Sequence, residues 1–192
     1  YHRSLGVGKI NATYQSNDSS HNLNGRYNIK WGRKKMTENE THEGGCACGA
    51  VRYRTTGYPD IHAVCHCRYC QLRTGSAFGV GAYFSETDVE ILSGTLTQHS
   101  YQTQSGNTVS TSFCVTCGTT THWQIDSDFL RGKTAIAVGT FDPPSFWFDI
   151  DREIFTRTKA DFVHIDAENK FETSGTYKPV KEDEIRQTPA SD

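Results

Sequence analysis

Seven cysteines, at positions 46, 48, 65, 67, 70, 114 and 117, restrict this chain more than any other feature of its sequence. Five of them fall within 25 residues, as Cys46-Ala47-Cys48 and Cys65-His66-Cys67-Arg68-Tyr69-Cys70, and the last two stand in Cys114-Val115-Thr116-Cys117. An odd count leaves one thiol over in any disulfide framework. Cysteines two apart on an extended segment also point to the same side, which makes them poor partners for a bridge. Both arguments favour metal ligation over disulfides. Reduced thiolates imply a cytosol-like compartment, so a cytoplasmic location is expected.

Four-cysteine zinc sites are usually assembled from two short pairs that converge in space. Cys114 and Cys117 form one such pair, since a CxxC turn folds both sulfurs toward one ion, and Gly118 can supply the left-handed backbone that the turn needs. Cys46 and Cys48 are the natural second pair, with Gly44, Gly45 and Gly49 around them. Closing this site would tie together segments 66 residues apart, which is a structural role. Cys65, Cys67 and Cys70 are then left as three ligands with an open fourth position, the pattern of a catalytic zinc. Three thiolates weaken the ion as a Lewis acid. Such a site suits holding an incoming thiol as a nucleophilic thiolate better than activating water. Other partitions stay open. His66 is a possible fourth ligand, although it should point away if its segment is extended. His122 is another, and two purely structural ions are a third reading.

The chain has 192 residues, enough for one domain with tails, and its 35% hydrophobic content allows a modest core that metal crosslinks would support. No apolar run approaches the length of a membrane span. Charge is uneven: residues 1–35 hold seven Lys/Arg and one acid, and the remainder carries 13 basic against 21 acidic side chains. The only methionine is Met36. Residues 1–35 are therefore expected to be a non-native or disordered leader, residues 36–178 a zinc-binding domain, and residues 179–192 a flexible tail. The acidic body argues against nucleic acid as a partner, and no membrane association is expected.

From Gly44 to Tyr177 the pattern is one of short strands broken by glycine. Strands are expected at Val51–Arg54, Val80–Phe84, Val89–Leu92, on both sides of a turn at Ser105-Gly106-Asn107, at Thr134–Val138 and at Ile154–Arg157. Short helical turns are expected near Cys70 and at 127–131. The fold class is mainly β.

The blocks Gly44-Gly45-Cys46-Ala47-Cys48-Gly49-Ala50-Val51-Arg52-Tyr53, Cys65-His66-Cys67-Arg68-Tyr69-Cys70, Thr74-Gly75-Ser76-Ala77-Phe78 and Phe113-Cys114-Val115-Thr116-Cys117-Gly118-Thr119 carry a family resemblance. Together with Ile154–Phe162 they make residues 43–178 similar to the glutathione-dependent formaldehyde-activating enzyme family. The resemblance implies a Mss4-like complex β fold built around two zinc ions. It assigns a structural zinc to Cys46, Cys48, Cys114 and Cys117, and a catalytic zinc to Cys65, Cys67 and Cys70. It also implies a carbon–sulfur lyase that joins glutathione, or another small thiol, to an aldehyde such as formaldehyde, giving S-hydroxymethylglutathione. Candidate proton donors are Ser76, Thr74, Tyr69 and His66. Arg68 and Arg73 are candidates for the carboxylates of a glutathione-like ligand, and Thr74, Gly75, Ser76 and Phe78 are candidates for the substrate wall. A non-catalytic, zinc-stabilised binding module is the alternative.

Overall fold

The structure is a computed structural model that describes residues 39–180. The expected leader lies outside the described residues, as does nearly all of the expected tail. Eleven strands and one short helix make up the regular structure of the described residues. The strands are β1 (Thr41–Gly45), β2 (Arg52–Thr56), β3 (Ile61–Cys65), β4 (Gly79–Ser85), β5 (Val89–Ser93), β6 (Leu96–Gln102), β7 (Thr108–Cys114), β8 (Thr120–Ile125), β9 (Lys133–Ala137), β10 (Arg152–Ile154) and β11 (Asn169–Lys170). The helix α1 spans Arg68–Thr74 and stops at Gly75, whose left-handed backbone donates its N–H to the Gln71 carbonyl.

Strands β1, β2 and β5 form a three-stranded antiparallel sheet. The other eight form one sheet in the order β11-β10-β3-β4-β9-β8-β7-β6. Only β10 and β11 run parallel to their neighbours. Side chains alternate between the two faces of a strand, so each face of the large sheet has its own composition. Ala82, Phe84 and Ile136 point to one face and meet Tyr53 of the small sheet, Val138, Phe141 and Phe148 in the main core. Burying a side chain of the size of Phe84 or Ile136 stabilises the fold by roughly 1.5–3 kcal/mol. Tyr83, Val109, Trp123 and Ala135 belong to a separate cluster. That second face carries the cavity described below.

A close approach joins the two sheets. Gly44 bridges Phe141, and a Cβ built on Gly44 would lie 2.3 Å from the Tyr53 hydroxyl and 2.5 Å from the Thr140 carbonyl. No side chain larger than hydrogen fits there.

The mainly β expectation agrees with this architecture, as do the helical turns near Cys70 and at 128–130. The hairpin turn at 105–107 joins β6 to β7. The strand expected at Ile154–Arg157 is corrected: β10 ends at Ile154. Phe155 adopts a left-handed backbone (φ 58°), which breaks the ladder and starts a 3-10 turn at Thr156–Thr158. Among the described residues, no helix is long and apolar enough to cross a membrane.

Candidate metal centres and the cavity beside them

Two turns with the same design bring the first cysteine group together. After Cys46 and Cys48, Gly49 takes φ 76° and donates its N–H to the Cys46 carbonyl. After Cys114 and Cys117, Gly118 takes φ 72° and donates to the Cys114 carbonyl. Both positions lie in the left-handed region that favours glycine. The four sulfurs lie within 4.8 Å of one another, with Cys46 to Cys48 at 3.4 Å and Cys48 to Cys114 at 3.8 Å. Thiolates about 2.3 Å from a tetrahedral ion would stand about 3.8 Å apart, so this group fits a four-thiolate centre.

Backbone donors reinforce that fit. The N–H of Val51 points at the Cys46 sulfur (3.2 Å), and the N–H of Thr116 points at the Cys114 sulfur (3.4 Å). The Val51 donor holds the Cys46 thiol below its usual range. The hydroxyl and N–H of Thr119 hold Cys117 down at about 5. Cys48 is pushed up to about 12, because its three sulfur neighbours outweigh the lowering effect of the Ala50 N–H. Thiols this close cannot all ionise unless a cation sits among them. Cys46 and Cys114 are buried with Val51 and Leu96, whereas Cys48 and Cys117 are exposed.

The second group is built at a strand-to-helix junction. Cys65 ends β3, Cys67 is the N-cap of α1, and Cys70 lies in its first turn. Their sulfurs also lie within 4.8 Å of one another, and this group can hold a metal ion with three ligands. The Cys65 and Cys67 thiols hold Cys70 well below the usual thiol range, and Arg73 adds to the effect with a guanidinium nitrogen 3.7 Å from the sulfur. Cys65 is pushed well up by Cys67 and Cys70 and by burial. Cys67 also rises; Cys65 works against the rise, but Cys70 and burial outweigh it.

His66 turns away from this group. It is fully buried, and its Nε2 lies 3.0 Å from Oε1 of the equally buried Glu153. Glu153 also meets Lys159 at 3.1 Å and Lys170 at 3.5 Å. The ring faces the opposite side of the segment from Cys65 and Cys67, as an extended segment implies, so the alternative of His66 as a fourth ligand finds no support. His122 is likewise outside both cysteine groups, with Nδ1 3.0 Å from the Thr121 hydroxyl.

A cavity of about 320 Å³ opens beside the three-cysteine group, and Cys65, Cys67 and Cys70 line it. It lies on one face of the large sheet. Pairing places Cys65 opposite Gly79, Ala63 opposite Gly81 and Ile61 opposite Tyr83, all on the cavity side. The glycine floor leaves room for larger groups above it. A Cβ on Gly81 would meet the Trp123 ring at 2.9 Å, and one on Gly79 would meet Arg73 at 3.0 Å. The Arg73 guanidinium in turn stacks 3.6 Å from the Trp123 ring centroid. Glycine, tryptophan, arginine and thiol thus form one continuous layer.

Arg68, Arg73, Arg152 and Arg157 line the cavity, and no Asp or Glu does. The body of the chain outside residues 1–35 has more acidic than basic side chains, so this all-positive lining is a local selection for anions. Arg152 is also paired with Asp151 (2.7 Å), and Arg157 donates to the Tyr177 hydroxyl (2.9 Å). Of the proton donors expected from sequence, only Tyr69 lines the cavity. The Thr74 hydroxyl lies 2.8 Å from the Cys70 carbonyl and 3.1 Å from the Phe78 carbonyl. Ser76 is exposed, and Phe78 packs against the His66 ring at 5.8 Å. Thr74, Gly75, Ser76 and Phe78 are absent from the lining, so their wall-forming expectation has no counterpart in the cavity. Tyr83 and Tyr101 are lining residues that sequence reasoning missed. Burial pushes both phenols up, so both are neutral O–H donors near pH 7. The alternation around Val80–Phe84 could have flagged Tyr83 as facing away from Ala82 and Phe84.

Comparison with known proteins adds to the geometry. A family model described as "Glutathione-dependent formaldehyde-activating enzyme" matches residues 41–158. No curated protein matches the chain. Among solved structures, a Rhodobacter sphaeroides protein from a structural genomics programme matches at 23% identity, over 53% of this chain and 88% of that one, with a TM-score of 0.40. A likeness of that extent says nothing about function.

Proposed function

The chain belongs to the glutathione-dependent formaldehyde-activating enzyme family, and from that premise we propose that it is a zinc-dependent carbon–sulfur lyase acting on a thiol–aldehyde adduct such as S-hydroxymethylglutathione. One observation carries the reading: a three-cysteine group faces a cavity lined by four arginines and no acid. Cys46, Cys48, Cys114 and Cys117 would hold a structural zinc, and Cys65, Cys67 and Cys70 a catalytic one. Bound at the second group, zinc would supply the positive charge that keeps a thiol ionised near neutral pH.

The chain's own side chains account for the rest. Arg73 and Arg68 would bind the carboxylates of the thiol substrate. The Trp123 face holds the Arg73 guanidinium in place, so less freedom is lost when a ligand binds. In adduct formation, the substrate sulfur attacks the carbonyl carbon. A C–S bond forms, and the carbonyl π pair moves to oxygen, which takes a proton. Tyr69, Tyr83 and Tyr101 present the phenols that would hold that proton. In cleavage the same proton leaves the carbinol oxygen, and the C–S electron pair returns to sulfur. His66 is buried against Glu153 and would orient the cysteine segment without touching substrate.

The test is exchange NMR of glutathione with formaldehyde, using zinc-loaded protein. The expected outcome is exchange into S-hydroxymethylglutathione at least about tenfold faster than the uncatalysed reaction. Exchange at the uncatalysed rate would favour a zinc-stabilised binding module.

A further inference from the structure

The cavity is larger and more apolar than a one-carbon substrate requires. Formaldehyde has two heavy atoms, and a water molecule occupies about 30 Å³ of liquid volume. The cavity measures about 320 Å³. Ile61, Ala63, Val109, Ile125 and Phe155 line it, and Trp123 and Arg73 lie over Gly81 and Gly79. Phe129 and Phe171 also belong to the lining and keep rings 55% and 44% exposed. Exposed aromatic rings at the lining of an apolar cavity are surface that a bound apolar group would cover.

The peptide body of a thiol such as glutathione is a poor occupant for this space. Its α-ammonium would find four arginines and no carboxylate among the lining residues. The polar lining consists of Arg68, Arg73, Arg152 and Arg157, the phenols of Tyr69, Tyr83 and Tyr101, Ser127, Thr158, and neutral loop residues at 103–107 and 174–177. A second, shallower groove offers the peptide another course. It shares Arg68, Tyr69, Arg73 and Tyr101 with the cavity and continues past His99 and Thr120. The two spaces therefore meet beside Cys70, which places the sulfur at their junction and the rest of the adduct on either side.

We infer that the carbonyl half of the substrate carries an apolar body of alkyl-chain or aryl-ring size, seated against Ile61, Val109 and Ile125, and that the site prefers adducts of such aldehydes to adducts of formaldehyde. This rests on the lyase reading for its chemistry. The substrate is then a hemithioacetal with an apolar substituent on carbon. Its cleavage breaks one C–S bond, sends the electron pair to sulfur, turns the carbinol into the aldehyde and transfers the carbinol proton to the thiolate. No co-reactant is needed.

Stable adduct analogues separate binding from turnover. Calorimetric titration of the zinc-loaded full chain with S-methylglutathione and S-benzylglutathione should show the benzyl analogue binding at least about tenfold more tightly, since each added apolar carbon in a fitted pocket contributes measurably. Ala63→Leu, which adds bulk to the lining, should shrink that preference; Ile125→Asn provides the same check from the wall if the first variant folds poorly. Equal affinity for the two analogues, tighter binding of the methyl analogue, or binding of neither overturns the inference. Equal affinity with turnover of S-hydroxymethylglutathione would leave the lyase reading intact. A strong benzyl preference without turnover of any adduct would support the apolar pocket and remove the lyase reading.

Discussion

The two cysteine groups use the same ligand atom and differ in almost everything around it. The four-cysteine group joins two glycine-terminated turns, one at the end of β1 and the other after β7, and its sulfurs receive backbone N–H groups. Half of its thiols are buried in a small cluster with Val51 and Leu96. The three-cysteine group sits on one strand-to-helix junction, backs onto a buried His66–Glu153 pair, and opens to a cavity whose only charged lining is arginine. A closed ligand set tied to two distant segments stabilises a fold. A ligand set with space in front of it leaves room for a substrate. On the proposed function, the surroundings, and not the cysteine ligands, would separate a crosslink from a reaction site.

Substitutions that remove one sulfur from each group should therefore have opposite profiles. Cys114→Ser is expected to have the largest effect on stability, on the order of 5 kcal/mol, with a fall in Tm on the order of 10–20 °C and loss of one zinc ion. Cys67→Ser should also lose one ion, but with a clearly smaller fall in Tm and at least about a thousandfold lower turnover. Thermal unfolding, metal analysis and the exchange assay on both variants check this. Matching Tm losses would erase the distinction between the two groups.

The buried pair behind the second group sharpens the comparison. Glu153→Ala leaves His66, Lys159 and Lys170 without their shared carboxylate. Breaking such a buried pair costs about 3 kcal/mol. The variant should release metal from the second group at a lower chelator concentration and retain it at the first. A chelator titration in which both groups respond equally would show that the pair supports the whole fold and not one site.

The smallest effect expected is on pH dependence. Burial holds the His122 imidazole below its usual value. The unfolded chain then takes up this proton at a higher pH than the folded one. Stability from this group is complete above about pH 6.5 and declines as pH falls toward the depressed folded value. His122 belongs to neither cysteine group, so His122→Asn should flatten the fall in Tm between pH 7 and pH 5 without changing metal content. An unchanged slope would assign the acid sensitivity to the thiolates.

Much of the first centre was legible because its rules are local. Residues two apart on a strand share a side, and a CxxC turn closed by Gly118 aims two sulfurs at one point. The same local rule put His66 on the far side from Cys65 and Cys67. Strand β3, which carries Cys65, was missed, because Ile61-His62-Ala63-Val64 has no clear polar alternation once both of its faces are covered. Strand β8 was missed for a related reason: its Thr120–Ile125 stretch mixes threonine, histidine and tryptophan. The stop after β10 depends on the positive φ at Phe155, which residue type disfavours and only the surrounding structure imposes.

The spacing of seven cysteines was enough to divide them four and three, because ligand reach over two or three residues depends on backbone geometry alone. The cavity depended on distant pairing. Trp123 reaches Gly81 because β8 and β4 flank β9, and Arg73 reaches Trp123 because α1 lies over the same face. Those partners are separated by 42 to 50 positions in the sequence. No local rule predicts which face of a sheet two such segments will share, and that face is where the arginines, the apolar walls and the three thiols meet.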